Sequence, residues 1–275
     1  ATAEAADLPT DAAFLISAVP TPYLRATMKS LAPKLPVGVP VVSVSKGIEN
    51  DTLERPSEIL REVLGPFRPL AVLSGPCIAF EVARRMPATV VVSGDNARLN
   101  DAVLGALSNP YFRVYHNDDP LGVELGGALK NVIALAAGIC DGLALGVNAK
   151  AALLTRGLAE ITRLGVAMGA RRETFAGLAG VGDLFTTCVS EHGRNRAVGE
   201  SIGRGRTLDE TIAAMGGQVA EGVATTRSTV ALAAKFGVEM PISAEIHHVL
   251  FDGKSPRQAI RDLMARPSRA EGEPE

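Results

Sequence analysis

The chain has 275 residues, 47% of them hydrophobic and 21% charged, which is typical of a folded globular protein of about two domains rather than a disordered chain. With a formal net charge of −2 and no long basic run, nucleic acid and anionic membranes are not expected as main partners. No membrane span and no signal peptide are predicted from the sequence, so we expect a cytoplasmic protein.

The cysteine and histidine residues do not indicate a metal centre. Cys77, Cys140 and Cys188 are far apart and form no C-x-x-C motif, so we expect free thiols in a reducing compartment. The four histidines, including the neighbours His247 and His248, match no metal-ligand spacing and are interpreted as surface or packing residues. We therefore predict no metal site.

The first part of the chain alternates β-branched segments with segments of helical periodicity. The predicted strands are residues 13–19, 39–45, 70–74, 88–94 and 111–116. The predicted helices between them are residues 23–33, 54–65 and 96–108. Nearly continuous apolar strands are typical of a parallel sheet covered by helices on both faces. The pattern predicts a doubly wound α/β arrangement.

Strand signals stop near residue 120, and helical periodicity continues to about residue 265. Thr207 and Glu210 form a capping box, and Ser255 followed by Pro256 marks another helix start. The opening residues 1–11 are interpreted as a helix tail leading into a strand, and residues 267–275 as a polar tail. We expect an α/β domain over residues 1–120 and an all-helical domain over residues 121–275, with ligands at strand ends or between the domains.

Two turns follow predicted strands. In VSVSKGIEN, Lys46 places a cation at the carboxyl end of a strand, although a surface lysine in an ordinary turn also explains the pattern. In LSGPCIAFE, Gly75 and Pro76 turn the chain toward a helix, whose first N–H groups can receive an anion or a cofactor amide. An ordinary strand-to-helix turn is the alternative.

The helical segment LGVELGGALKNVIALAAG carries one lysine among apolar residues. On a helical wheel Glu124, Gly127, Lys130 and Asn131 share one arc, and Lys130 lies at the edge of the apolar face. Desolvation there would lower the lysine pKa toward a range useful for proton transfer. The alternative is a lysine whose stem is buried while its ammonium reaches water.

A further polar segment is FAGLAGVGDLFTTCVSEHGRNRAVGE. Its glycines would allow close backbone approach to a ligand beside the Asp183 carboxylate. Arg194 and Asn195 stand at a predicted helix start, where a guanidinium and free N–H groups suit a phosphate. A flexible loop with a basic cap is the alternative. GVGDLF is not a dinucleotide-binding turn, because it follows no strand.

In this order and spacing, the segments resemble the bacterial type of NAD(P)-dependent glycerol-3-phosphate dehydrogenase, over the chain to about residue 265. The matching stretches include VSVSKGIE, LSGPCIAFE, LGGALKNV, GLAGVGDLFTTC, GRNRAVG and QVAEGVATT. The resemblance implies a truncated Rossmann-like doubly wound sheet followed by an all-α domain. It also implies hydride transfer between NAD(P)H and dihydroxyacetone phosphate, or sn-glycerol 3-phosphate in reverse, which supplies glycerol 3-phosphate for phospholipid synthesis. NAD or NADP is the implied cofactor. The sequence does not decide the oligomeric state, and a homodimer is left open.

The resemblance assigns roles to residues by position. Lys130 and Asp183 match catalytic residues, with Lys130 exchanging a proton with the C2 oxygen. The matching substrate-binding positions are Lys46, Gly75, Cys77, Lys130, Asp183, Gly193, Arg194 and Asn195. The matching cofactor-binding positions are Lys46, Ala79, Arg194, Val219 and Glu221.

The sequence departs from the family pattern in three places. Cys77 stands where serine is usual, and Gly193 where serine commonly precedes the Arg-Asn pair, although the backbone N–H groups remain. The family's first strand and its pyrophosphate-binding G-x-G-x-x-G turn are not in this sequence. One alternative is therefore a truncated, catalytically silent relative that binds a phosphorylated ligand or acts through its helical domain. Another is a sibling 3-hydroxy-acid or 6-phosphogluconate-type dehydrogenase.

Overall fold

The structure is a computed structural model that describes residues 7–268. The helix tail and the polar tail expected at the two ends therefore lie largely outside the described residues. All three cysteines are free thiols, as expected: Cys77 is exposed, whereas Cys140 and Cys188 are buried.

Five short strands form one mixed sheet. They are β1 (Leu15–Ser17), β2 (Val41–Ser43), β3 (Leu70–Ser74), β4 (Ala88–Gly94) and β5 (Phe112–His116), in the spatial order β1-β2-β3-β4-β5. All five coincide with predicted strands, although β1 and β2 are shorter than expected. Ligands of a Rossmann-like sheet bind at the carboxyl ends of its strands. We therefore expect the site at the carboxyl ends of β1, β2 and β3.

The expectation of a wholly parallel sheet was wrong at one pair. Strands β1, β2 and β3 are parallel to one another, and β5 is parallel to β4, but β4 runs antiparallel to β3. The connection over residues 75–87 contains only the five-residue helix α3 (Ala79–Ala83), and it turns the chain straight back. A strand buried on both faces has the same apolar pattern in either direction, so its sequence does not reveal its direction.

Helices cover both faces of the sheet, which confirms the doubly wound arrangement. The covering helices are α1 (Thr21–Leu31), α2 (Pro56–Leu64) and α4 (Ala97–Leu107). Successive side chains of a strand point to opposite faces. Val41 accordingly packs with Leu24 and Ile59 of α1 and α2, whereas its neighbour Val42 packs with Val103 of α4.

The rest of the described chain is helical. The helices are α5 (Pro120–Gly142), α6 (Gly146–Ala167), α7 (Arg172–Phe175), α8 (Asp183–Val189), α9 (Arg194–Gly203), α10 (Leu208–Ala214), α11 (Glu221–Phe236), α12 (Pro241–Phe251) and α13 (Pro256–Met264), with a π-helical turn at Leu178–Gly182. Both predicted helix starts are confirmed. Thr207 and Glu210 form the capping box of α10, and the Ser255 hydroxyl accepts the Gln258 N–H at the start of α13.

Helix α5 is the core of this helical part. It is the one helix within residues 7–268 that is long and apolar enough to cross a membrane, with a mean hydropathy of 1.5, and this apolar stretch is wholly buried in protein. The polar arc predicted on α5 does not face water. Glu124, for example, is buried and accepts hydrogen bonds from the Ser57 backbone N–H (2.8 Å) and hydroxyl (2.6 Å) at the start of α2.

Helices α5 and α9 touch backbone to backbone. A Cβ atom at Gly199 would lie 2.0 Å from the Leu135 carbonyl oxygen, and one at Gly138 would lie 2.0 Å from the Arg196 carbonyl oxygen. Only glycine permits this approach. One turn before Gly199 and Leu135, Asn195 donates to Asn131 at 3.0 Å, so the two helices run side by side in register. The contact places the start of α9 beside Lys130.

Candidate active site

A cleft of about 580 Å³ lies between the carboxyl ends of the first three strands and the helices α5, α8 and α9. Residues 18–20 line it after β1, residues 44–46 after β2, and residues 77–80 after β3. The predicted site residues that line this cleft are Lys46, Cys77, Ala79, Lys130, Asp183, Gly193, Arg194, Asn195, Val219 and Glu221. Residues spread over 175 positions of sequence (46 to 221) are thus brought together.

A buried carboxylate holds two ammonium groups at the base of the cleft. Lys130 Nζ donates to Asp183 Oδ1 at 2.7 Å, and Lys46 Nζ donates to Asp183 Oδ2 at 2.6 Å. Asp183 is 2% exposed and Lys130 is 5% exposed. The alternative in which the Lys130 ammonium reaches open water was therefore wrong. Lys46 is not a free surface lysine either, since its side chain is 23% exposed and ion-paired.

Burial and the neighbouring charges set the protonation of this group. Burial lowers the pKa of Lys130 to about 8; Lys46 acts in the same direction, and Asp183 opposes it. Burial alone would raise the pKa of Asp183, but the ammonium groups of Lys46 and Lys130 outweigh it and hold that pKa below its usual range. The site therefore combines a fixed carboxylate with an ammonium that releases its proton near neutral pH.

Small residues let these groups meet. A Cβ atom at Gly127 would lie 2.6 Å from Ser74 Oγ and 3.5 Å from Lys46 Cγ. The absence of a side chain at Gly127 therefore lets Ser74 and the Lys46 side chain pack directly against α5. Asp183 is the first residue of α8, directly after the π-helical turn, a rare element that occurs often at functional sites. The glycines before Asp183 thus shape the turn that aims its carboxylate.

Gly75 differs from the other predicted site residues. It does not line the cleft, and a Cβ atom there would lie 3.0 Å from the Cα atom of Val90 in β4. Its carbonyl oxygen accepts a hydrogen bond from Lys46 Nζ at 3.2 Å. The expected helix does not begin at Gly75 and Pro76 but at Ala79. In this structure Gly75 therefore orients Lys46 and offers no helix N–H to the cleft.

A polar network surrounds the start of α9, where this helix lines the cleft. Asn195 donates to Asn131 Oδ1, and its own Oδ1 accepts the Gly222 N–H at 2.9 Å. This network holds Asn195 buried, while the neighbouring Arg194 is exposed and its side chain makes no hydrogen bond or ion pair within residues 7–268. Glu221 also lines the cleft; burial raises the pKa of its carboxyl group, partly offset by its hydrogen bond from the Thr21 N–H and by Arg194. Arg194 is therefore a cation presented to the cleft.

The two substituted positions of the family pattern both lie at the cleft. Cys77 is exposed by surface area, but its partial desolvation among the cleft residues raises the pKa of the thiol despite the nearby Lys46 ammonium, which favours the protonated thiol. At Gly193, a Cβ atom would lie 3.0 Å from the Thr187 carbonyl oxygen and 3.2 Å from that of Ser190. A serine at position 193 would thus require a small shift of the loop before α9.

Several residues of the cleft were not among the predicted site residues, and Thr187, Phe80 and His192 are the ones with distinct contacts. The Thr187 hydroxyl accepts a hydrogen bond from Lys130 Nζ and lies 3.4 Å from Asp183 Oδ1. Its position four residues after Asp183, on the same face of a helix, was an available signal. The Phe80 and His192 rings meet with centroids 5.3 Å apart, joining α3 to the loop before α9. No local pattern predicts a contact between residues so far apart.

A Rossmann-like sheet with a cleft at the carboxyl ends of its strands is typical of dinucleotide-binding proteins. Residues 1–100 match the family model described as NAD-dependent glycerol-3-phosphate dehydrogenase N-terminus, and residues 119–261 match that of the C-terminus. The chain belongs to the NAD-dependent glycerol-3-phosphate dehydrogenase family.

Individual relatives agree with this assignment. A protein of Citrifermentans bemidjiense named glycerol-3-phosphate dehydrogenase [NAD(P)+] is 53% identical over 260 residues, which cover 94% of this chain and 77% of the relative. A protein of Koribacter versatilis with the same name is 51% identical, over 94% of this chain and 78% of the relative. The crystal structure of glycerol-3-phosphate dehydrogenase from Coxiella burnetii is similar with a TM-score of 0.88 and 38% identity, over 92% of this chain and 77% of that chain.

Proposed function

We propose that the protein catalyses reversible hydride transfer between NAD(P)H and dihydroxyacetone phosphate, with sn-glycerol 3-phosphate as the reduced product. The observation that carries this proposal is the buried Lys130–Asp183 pair, with an ammonium of pKa about 8 at the cleft. Family membership and the names of the relatives support the same reaction. We further propose that residues 1–120 form the dinucleotide-binding domain, which also contributes Lys46 and Cys77 to the substrate site, and that residues 121–275 form the helical substrate and catalytic domain.

The cleft residues fit a nicotinamide cofactor, which supplies or accepts the hydride when bound. Val19, Pro20 and Val44 form an apolar wall at the carboxyl ends of β1 and β2. Lys46 and Arg194 line the same cleft as cations. An apolar wall close to positive charge suits a flat ring held beside a phosphorylated substrate. Ala79, Val219 and Glu221 also line the cleft, in keeping with the cofactor-binding positions implied by the resemblance.

Lys130 is the proposed proton donor to the C2 oxygen during reduction. Negative charge develops on this oxygen as the carbonyl accepts a hydride, and an ammonium beside it both stabilises the charge and supplies the proton. Asp183 holds the ammonium through a 2.7 Å hydrogen bond, and Thr187 accepts another. In the oxidation direction, neutral Lys130 takes the proton of the C2 hydroxyl.

Arg194 and the start of α9 are proposed to bind the substrate phosphate. The guanidinium is exposed and unpaired within the described chain, and helix N–H groups favour anions. Asn195 is fixed by Asn131 and Gly222, so its amide sits at a defined place beside Arg194. Lys46 would add positive charge near the reacting oxygen. Cys77 and Gly193 are proposed to contact the substrate through their backbone.

Separate equilibrium titrations with NADH and with dihydroxyacetone phosphate test the proposal, followed by turnover with both. We expect each ligand to bind and dihydroxyacetone phosphate to be reduced. Dihydroxyacetone without the phosphate should bind much more weakly. Binding of the phosphorylated ligand without NADH binding would instead support a catalytically silent relative. Faster turnover of a 3-hydroxy acid or of 6-phosphogluconate would support a sibling dehydrogenase. The cytoplasmic location remains a prediction from the sequence, which leaves a homodimer open.

A further inference from the structure

A cluster of two histidines and one aspartate lies at the end of α12, outside the cleft. His247, His248 and Asp252 each offer one ligand atom, and these three atoms lie within 4.8 Å of one another. None of the three residues lines the cleft. We propose that this cluster, named here the α12 site, binds a divalent transition-metal ion such as Zn²⁺ or Ni²⁺.

The geometry of the α12 site is close to that of a metal site. His248 Nδ1 lies 2.7 Å from Asp252 Oδ2, and His247 Nδ1 lies 3.4 Å from the same oxygen. In tetrahedral zinc sites the metal–ligand bonds of about 2.0–2.1 Å place neighbouring ligand atoms about 3.3 Å apart. The His247 distance already matches this value. The His248 distance must open by roughly 0.6 Å, which a small rotation of two exposed side chains provides.

The surroundings of the α12 site contain charges of both signs, and one cation nearby is the Arg227 guanidinium, which lies 4.2 Å from the centroid of the Phe251 ring. The carbonyl groups at the end of α12 carry the negative end of the helix dipole. Lys254, the nearest lysine in sequence, is paired with Glu245 and with Asp262 at 2.7 Å, so its charge is already compensated. The His247 ring packs edge-on against Phe251, with centroids 5.0 Å apart, and this contact limits its rotation.

The ligand types define the class of metal. Two imidazoles and one carboxylate suit Zn²⁺, Ni²⁺ or Cu²⁺, whereas Mg²⁺ and Ca²⁺ prefer sets of oxygen ligands. The side chains of His248 and Asp252 are about half exposed, so a metal reaches them directly from solvent and water completes the coordination. Both residues lie four positions apart, the spacing at which helical side chains share one face.

The test is a titration of the full chain with Zn²⁺ alone, in competition with a chromophoric chelator. We expect one zinc ion per chain and at least ~tenfold weaker binding in each of His247→Gln, His248→Gln and Asp252→Asn. His116→Gln is the matched control, because His116 forms a similar exposed contact with Asp118 at 3.4 Å but has no second histidine beside it. That variant should bind zinc like the wild type.

Several outcomes would overturn the α12 site. They are no zinc binding by the wild type, equal binding by the α12 variants, or equally tight binding of Mg²⁺. The Cys77→Ser variant tests whether zinc binds instead to a thiol, because Cys77 is the exposed one of the three cysteines. If zinc binds at the α12 site, this variant should bind it as tightly as the wild type. Circular dichroism of each variant without metal checks that its helices are intact.

Discussion

Lys46 and Lys130 bind opposite oxygens of one buried carboxylate, at 2.6 and 2.7 Å. The two lysines come from different parts of the chain, one after strand β2 and the other from the middle of α5. Asp183 keeps these like charges close together, and the ammonium of Lys46 lowers the pKa of Lys130.

Replacing Lys130 by alanine should remove the proposed proton donor. We expect Lys130→Ala to lower kcat by on the order of 10² or more, the usual contribution of a positioned general acid. Lys150→Ala is the matched control, because Lys150 pairs with Asp141 at 2.8 Å away from the cleft. Steady-state kinetics should show near-normal turnover for this control. Near-normal turnover of Lys130→Ala would end the proposed role.

The pH dependence should have opposite signs in the two directions of reaction. Reduction needs the Lys130 ammonium, so kcat/KM for dihydroxyacetone phosphate should fall as pH rises through about 8, the pKa of this lysine. Oxidation needs the neutral amine, so kcat/KM for glycerol 3-phosphate should rise over the same interval. Parallel profiles in the two directions would contradict the assignment.

Changing the neighbours of Lys130 should move the midpoint of those profiles. Asp183 raises the pKa of Lys130 and Lys46 lowers it. Asp183→Asn should therefore shift the midpoint to lower pH, and Lys46→Met should shift it to higher pH. Both variants are expected to be slower than the wild type. Shifts of the same sign in both variants would show that another group controls the profile.

Arg194→Ala should weaken substrate binding. Loss of a charge-assisted hydrogen bond costs about 1.5–3 kcal/mol, so KM for dihydroxyacetone phosphate should rise roughly tenfold to a hundredfold. Arg204→Ala, at the other end of α9, removes an exposed arginine paired with Glu200 and should leave KM unchanged. An unchanged KM in Arg194→Ala would remove its phosphate-binding role.

Gly199→Ala should destabilise the fold through the contact between α5 and α9. The added Cβ atom would lie 2.0 Å from the Leu135 carbonyl oxygen, so the helices must separate, at a cost of about 1–3 kcal/mol or more. Gly105→Ala in α4 is the control, because a Cβ atom there meets nothing within 4 Å. This variant should be about 0.5–1 kcal/mol more stable, since alanine favours the helix. Urea unfolding of both variants measures the difference.

The secondary structure was largely predictable from the sequence, because it follows from local patterns. The strands coincide with apolar β-branched segments, and Thr207 and Ser255 cap the helices that they were expected to start. The direction of β4 was not predictable, because a strand buried on both faces has the same apolar sequence pattern whether it is parallel or antiparallel to its neighbour. The expectation that Lys130 is desolvated with a lowered pKa is confirmed, although the burial of α5 on all sides was not predicted.

The partners of the polar residues on α5 were beyond local reasoning. Lys130 is paired with Asp183, which is 53 residues away, and Asn131 with Asn195, which is 64 residues away. Periodicity shows that such residues share a face but not what covers that face. Family resemblance brought most of these positions together in advance. It did not supply Thr187 or the Phe80–His192 contact.

The burial of α5 determines how the backbone amide hydrogens around Lys130 exchange with solvent. Amide hydrogens exchange with solvent through local openings at weakly packed segments, but only through global unfolding in the core. The N–H of Lys130 lies in the middle of a helix that is buried over nearly its whole length. Its exchange should therefore report the free energy of unfolding of the whole helical part. Phe80 and His192, which line the cleft, are exposed, so the amide hydrogens of their segments should exchange faster than that of Lys130.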